Sequence, residues 1–249
     1  MISPIAEALL FAVFGLVFGS LASALSYRLP RGMPVGADRS RCQTCGTSLT
    51  VRDLVPLLSW LSAKGRCRYC GAAVSWRYPL IEATTSLLFF AAWLRFGADP
   101  LAAAILALSA FALVVIVVAD CETGFIPDAM TILLGLLAIA ARFVHQQNWL
   151  DGGLGAVLGF GLSWAISVGF RKLRGRQGLG FGDVKFLGAA GFYVGLNDFG
   201  IYLAVSGILG IALGVGWRAA GRGAVFPFGP ALCVALLAEL YGLWNLISG

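Results

Sequence analysis

The sequence predicts an all-α polytopic membrane protein with about eight transmembrane helices, and three observations carry that prediction. Only 12% of the 249 residues are charged while 59% are hydrophobic, against about 25% charged in an average globular domain. Apolar runs recur at lengths approaching the roughly 20 residues that a helix rising 1.5 Å per residue needs to cross a hydrocarbon core of about 30 Å. The basic residues fall almost entirely on alternate connections between those runs. A water-soluble fold and a disordered chain are thereby excluded, and the 33 glycines show no collagen period. The formal charge of +6 reads as the charge of cytoplasmic loops beside membrane lipid, and no nucleic-acid partner is expected.

Bounded by charge, Gly and Pro, the spans run near 5 to 27, 79 to 94, 101 to 119, 129 to 144, 153 to 170, 185 to 196, 199 to 216 and 228 to 247. The first holds one acid, Glu7, and no Lys or Arg before Arg28. It lacks the basic n-region of a cleaved signal peptide and reads as a retained span. The sixth is short and glycine-rich, which suits a tilted, broken or protein-buried helix. With the first span running outside to inside, nine of the eighteen basic residues fall in the inside segment 28 to 78, none in 120 to 128, five in 171 to 185 and two in 217 to 227. Only Arg95 and Arg142 face the other side, and both termini then lie outside. Three regions follow: 1-27 as the first transmembrane helix, 28-78 as a cytoplasmic domain, and 79-249 as a membrane-embedded core. Gly15 and Gly19, Gly155 and Gly159, and Gly210 and Gly214 have GxxxG spacing. Such pairs either bring helices into backbone contact or are merely tolerated in lipid.

The segment 28 to 78 contains SRCQTCGTSL and GRCRYCGAAV, so Cys42, Cys45, Cys67 and Cys70 form two C-x2-C pairs separated by 21 residues. Each pair presents two thiolates on a tight turn, with Gly46 or Gly71 following where the turn needs a permissive backbone. Four thiolates close a tetrahedral shell around Zn2+ and leave no position for water, so the ion is structural. Arg39, Arg41, Arg66 and Arg68 would offset its negative charge. Two disulfides are the competing arrangement, but the charge asymmetry assigns this segment to the reducing cytoplasm.

Acids are scarce, which makes their grouping informative. Asp120, Glu122 and Asp128 occupy VADCETGFIPD at the inside end of the third span, and Asp183 lies 63 residues beyond Asp120 in GLGFGDVK. The topology returns both motifs to one membrane depth. Ionisable groups there are costly and default to function. Two carboxylates in one low-dielectric site divide the work of general acid and general base in amide hydrolysis. Gly180 and Gly182 would let the backbone approach a substrate strand, and Lys185 is a candidate electrostatic partner. From spacing alone, a solvated acidic loop capping the fourth helix is an equal reading of Asp120, Glu122 and Asp128.

These residues resemble the bacterial prepilin peptidase family over nearly the whole chain. GSLASALSYRLP (19 to 30) is similar to the family's first-span exit, SRCQTC through GRCRYC to its four-cysteine loop, and SWRYPLIE (75 to 82) to the start of its second span. DCETGFIPD and GFGDVK resemble its two active-site motifs in the same order. The resemblance implies an aspartic endopeptidase of the bacterial inner membrane with Asp120 and Asp183 catalytic, Glu122 and Asp128 as motif companions, and prepilins or pseudopilins as substrates. It also implies methylation of the new N-terminus with S-adenosylmethionine, for which Arg77 and Glu82 are candidate residues. Ala22 to Ser23 and Leu54 to Pro56 depart from the family pattern, in the region associated with methylation. A peptidase without methyltransferase activity, a proton-relaying transporter and an assembly scaffold are the alternatives. A transporter would show internal repeats and polar residues at mid-membrane, and a scaffold would tolerate loss of either aspartate.

Overall fold

A computed structural model describes residues 3–36, 39–175, 178–223 and 225–243. The chain ends and residues 244–247 of the eighth expected span lie outside the described residues. The helices are α1 (Pro4–Arg28), the short α2 (Leu58–Ser62), α3 (Arg77–Phe96), α4 (Pro100–Thr123), α5 (Asp128–Val144), α6 (Trp149–Arg174), α7 (Phe181–Val194), α8 (Leu196–Ala219) and α9 (Gly229–Leu240). Among the described residues there is no strand, only isolated antiparallel bridges from Arg41 to Ser48 and from Arg66 to Ala73.

A helix coincides with each expected span, but four are long and apolar enough to cross a membrane: α1 with its 3-10 extension (Pro4–Arg31), α4, α6 and α8. The expected count of about eight is therefore not reached by length and composition. Four helices fall short, α3, α5, α7 and α9, and for the last two the cause is length: their 14 and 12 residues rise roughly 21 and 18 Å, less than the hydrocarbon thickness. Such helices persist in a membrane where other helices cover them. The protein is an all-helical membrane protein.

Two compact units divide within α4, Met1–Val115 and Ile116–Gly249. In the first, α1 and α3 meet through the first glycine pair. A Cβ on Gly15 would lie 2.6 Å from Ser86 Cα, and one on Gly19 would lie 2.6 Å from Glu82 Cα. Hence no larger residue permits this approach. The Ser86 hydroxyl donates to the Ala12 carbonyl at 2.8 Å, and the Phe18 ring meets Phe89 and Phe111 with centroids at 5.3 and 5.2 Å. The apolar window of α4 is 72% buried, against 33% in α1, 17% in α6 and 28% in α8, so α4 is wrapped by protein while the others keep lipid-facing flanks.

In the second unit the pair Gly155 and Gly159 joins α6 to α7: a Cβ at either would stand 2.3 Å from the Gly191 or Leu187 carbonyl oxygen, respectively. The third pair works differently. Gly210 and Gly214 make room for the rings of Phe228 and Phe226, from the segment before α9, rather than for a helix backbone.

Arg142, in the last turn of α5, is only 2% exposed. Its Nε donates to the Phe192 carbonyl at 2.7 Å, Nη1 to the Asn148 carbonyl at 2.7 Å, and Nη2 reaches Asp151 Oδ2 at 3.5 Å. Asp151 Oδ1 in turn accepts the N–H groups of Leu196 and Asn197 at 3.0 and 3.3 Å. One guanidinium thus ties α5 to the start of α6 and the end of α7, and through Asp151 to the start of α8. Gly152 clears its space, since a Cβ there would lie 2.2 Å from Nε. Arg142→Ala removes the cation beside the half-buried Asp151 carboxylate and strands the Phe192 and Asn148 carbonyls. It should cost about 3–5 kcal/mol, read as a lowered midpoint of thermal unfolding in detergent, with Arg142→Lys recovering only part because an ammonium lacks the planar fork.

Candidate active site and metal centre

Both aspartates sit on helices rather than in loops. Asp120 lies three residues before the end of α4 and is 5% exposed. Its Oδ2 accepts the Gly229 N–H at 2.9 Å, a free donor because it opens α9. Asp183 is half-buried in the first turn of α7, where its Oδ2 accepts the Gly180 N–H at 3.1 Å. The carboxylate therefore closes the N-terminus of its own helix. Each carboxylate lies within electrostatic reach of the other. Ile126 stands between their backbones: a Cβ on Gly182 would meet Ile126 Cβ at 3.1 Å, and one on Gly229 would meet Ile126 Cδ1 at 3.3 Å. Gly180 and Gly182 thus serve the cap and the packing, respectively.

Three neighbours carry no acidic or motif signal in the sequence. Gly229 belongs to a Phe-Gly-Pro turn, and only the Gly-Pro step at the start of the last apolar run hints at a helix end there. Buried Cys233 lies within electrostatic reach of both aspartates, and Tyr202 of Asp183. Glu122 is exposed at the end of α4. Asp128, exposed at the start of α5, forms an ion pair with Lys185, so the expected electrostatic partner answers Asp128 and joins the two motifs. Beyond this pair opens a cavity of about 690 Å³ between α5, α6 and α7, walled by Ile132, Val157, Phe160 and Gly188. The buried Thr131 hydroxyl lines it without a hydrogen-bond partner.

Arg77 and Glu82 lie on the face of α3 toward α1. Arg77 donates to the Ser23 carbonyl at 3.1 Å and to Ser26 Oγ at 2.8 Å, closing the last turn of α1. The buried Glu82 carboxylate accepts the Leu57 N–H at 2.8 Å and a hydrogen bond from Ser20. Arg77 thus ties α3 to the end of α1, and Glu82 holds the loop at Leu57 to α3.

The four cysteines converge. All four Sγ atoms lie within 4.8 Å of one another. Cys42 and Cys70 stand at 3.9 Å, too far for a disulfide at ~2.05 Å and close to the ~3.8 Å edge of a tetrahedron with Zn–S bonds of 2.3 Å. The donor set fits such an ion. The two hairpins repeat each other: Cys42 N–H donates to Thr47 O and Gly46 N–H to Cys42 O, while Cys67 N–H donates to Ala72 O and Gly71 N–H to Cys67 O. Gly46 and Gly71 take φ of +71° and +73°, the left-handed backbone that favours glycine. The backbone amides of Cys45 and Thr44 pull the Cys42 thiol down, those of Tyr69 and Cys70 pull Cys67 down, and the Thr47 hydroxyl and amide lower Cys45. The Ala72 N–H favours the Cys70 thiolate, yet burial and the three neighbouring sulfurs push that thiol up to about 12. A cation held by the four sulfurs would have to displace that last proton.

Asp53 braces the second hairpin. Its Oδ2 accepts the Thr50 hydroxyl at 2.8 Å, the Thr50 N–H at 3.0 Å and the Tyr69 hydroxyl at 3.0 Å, and Oδ1 lies 3.5 Å from Arg68 Nε. The Thr50 hydroxyl and amide first, then Tyr69 and Arg68, hold its carboxyl below the ordinary aspartate range against burial. A depressed carboxyl stabilises the fold above its unfolded value near 3.9, and that stability is lost as pH falls through the lower folded value. Asp53→Ala should weaken the loop by about 1 kcal/mol at neutral pH. Hydrogen exchange at the second hairpin should show this, and the deficit should vanish once acid has protonated Asp53 in the parent.

Comparison with known proteins now gives the family. Residues 13–96 match the bacterial peptidase A24 N-terminal domain, and residues 106–215 match the type IV leader peptidase family. A prepilin leader peptidase/N-methyltransferase of Dickeya chrysanthemi is 34% identical, covering 94% of this chain and 93% of its own. Proteins of that name from Neisseria gonorrhoeae and Bacillus subtilis (strain 168) are 33% and 34% identical, covering 94% and 92% of this chain and 90% and 92% of theirs. No solved structure matches closely enough to count. The carboxylates and the cysteine hairpins fall inside the two matched regions, and the chain is an enzyme that belongs to the type IV leader peptidase family.

Proposed function

We propose that the protein is an aspartic endopeptidase that removes the leader of type IV prepilins or type II secretion pseudopilins at the cytoplasmic face of the bacterial inner membrane, and then methylates the new N-terminus. The observation that carries the reading is the nearness of Asp120 and Asp183, each with one carboxylate oxygen fixed by a backbone N–H and the two within electrostatic reach. Two such carboxylates hold one proton between them. The ionised member takes a proton from water as it attacks the scissile carbonyl carbon, while the protonated member gives its proton to the carbonyl oxygen. Collapse of the tetrahedral intermediate then passes a proton to the departing amine.

The apolar segment that follows the scissile bond lies in the groove between α5, α6 and α7, whose polar end, the Asp128–Lys185 pair, is two residues along α7 from Asp183. The acidic Glu122 and Asp128 suit a basic leader. Segment 28–78 acts as a cytoplasmic zinc-binding domain, with Cys42, Cys45, Cys67 and Cys70 holding a structural ion, and 79–249 as the peptidase core, in a topology of eight spans with both termini outside. Relatives named as N-methyltransferases support S-adenosylmethionine as the methyl donor. Arg77 and Glu82 contribute to that reaction, Arg77 by joining α3 to the end of α1 and Glu82 by holding the loop at Leu57.

The test is mass spectrometry of a prepilin N-terminus after incubation with purified protein and S-adenosylmethionine. The parent should remove the leader and add a single methyl mass. Asp120→Asn and Asp183→Asn should leave the leader in place while inserting and unfolding as the parent does; normal processing by both would sink the aspartic mechanism. Cys42→Ser should lower bound zinc from one ion per chain and loosen the loop, measured by metal analysis, and an unchanged metal content would refute the four-cysteine site.

A further inference from the structure

We propose that residues 51–61 form an apolar wedge that inserts into the acyl boundary of the membrane leaflet at the Arg77 end of α3, fixing the depth of the four-cysteine loop. The segment lies between the two cysteine hairpins and carries Val51, Leu54, Val55, Leu58 and Leu61, which are 82%, 41%, 39%, 65% and 61% exposed. Leu58 and Leu61 share one face of α2 at spacing i, i+3. A water-facing loop has no reason to present five large apolar side chains in eleven residues.

The depth of the segment is legible from its anchor. The Leu57 N–H is bonded to Glu82 at 2.8 Å, and Glu82 lies five residues beyond Arg77, roughly 7.5 Å along the axis of α3 toward its far end. Leu57 therefore lies beside the first turns of α3, while Trp60 meets Val74 and Trp76 at the level where that helix begins. The turn that takes the segment there is strained: Leu57 has φ +58° and ψ −49°, and the Leu58 N–H reaches the Pro56 carbonyl at 2.6 Å. This is close to a γ-turn of the rare strained kind, and the buried Glu82 carboxylate is what holds it.

Neighbouring residues extend the same surface. The Trp60 indole N–H donates to the Val74 carbonyl at 3.1 Å, and the Trp60 and Trp76 rings stand 4.1 Å apart. Trp76, at the start of α3, is 72% exposed and Leu80, one turn further, is 68% exposed. The apolar surface thus runs without a break from α2 onto α3, with two indoles at the level where amphipathic rings settle between headgroup and acyl chain. Arg52, Lys64 and Arg66 are exposed beside it, and their charge complements anionic headgroups. The occupant that matches an apolar ridge, an indole pair and a basic margin is an anionic phospholipid leaflet.

The test uses the full chain with the photoreactive residue benzoylphenylalanine replacing Leu58, Leu61 or, as a reference, Lys64. Each variant is reconstituted into vesicles of phosphatidylglycerol and phosphatidylethanolamine carrying radiolabelled acyl chains. Light should attach acyl label at positions 58 and 61 severalfold above position 64. In the Glu82→Ala background the label at 61 should fall toward the reference while bound zinc is retained, because the anchor and not the metal site has been removed. Equal labelling at all three positions would overturn the wedge. So would adducts formed with the chain itself or with an added prepilin in place of lipid, which would identify a protein as the occupant. The readout does not depend on peptidase activity.

Discussion

Asp183 rides on a helix too short to span a bilayer alone, so its position depends on the close backbone contact between α6 and α7. Lipid offers no hydrophobic drive for one apolar helix to join another, and association rests on packing and polar contacts. Gly155, Gly159 and Gly191 supply that contact on one side of α7, where any Cβ would strike a carbonyl within 2.3 Å. Arg142 supplies it at the far end, by taking up the Phe192 carbonyl. With α7 held along its side and at its end, the first turn can present Asp183 without support from length.

The same economy governs the other aspartate. Asp120 is buried at the end of the most enclosed helix, and its carboxylate is received by an amide that α9 leaves free at its start. Both acids are therefore set by helix termini, where unsatisfied N–H groups point outward. The two motifs are joined further out by Asp128 and Lys185, an exposed pair that orients its loops more than it stabilises them.

Much of this was legible in the residues. The eight apolar runs located a helix each, the two aspartate motifs were marked by the scarcity of acids around them, and the paired C-x2-C spacing marked the four cysteines whose sulfurs converge. What escaped was set by three-dimensional contact. The identity of Gly229 as a donor depends on where α9 begins, and Lys185 finds Asp128 rather than Asp183 because α5 and α7 run side by side. Gly210 and Gly214 carry the same spacing as the true helix seams, but aromatic rings fill them. Arg142 read as a charge facing the other side because counting cannot distinguish a solvated guanidinium from one whose three nitrogens each donate to a neighbouring segment. Length alone also misjudges α7 and α9, because a helix covered by protein is released from the requirement to span.

The repeated cysteine hairpins have a mechanical consequence. Each bears two ligands, and the 21 residues between Cys45 and Cys67 join them. A cation bound by both hairpins closes that stretch into a ring, much as a crosslink would, and a closure of this length removes on the order of 3 kcal/mol of chain entropy from the open form. The segment inside the ring includes the strained turn at Leu57. An ion held there would gather the ends of this stretch while the Glu82 carboxylate holds its middle, so the loop would be fixed at three points: two hairpins and one leucine amide.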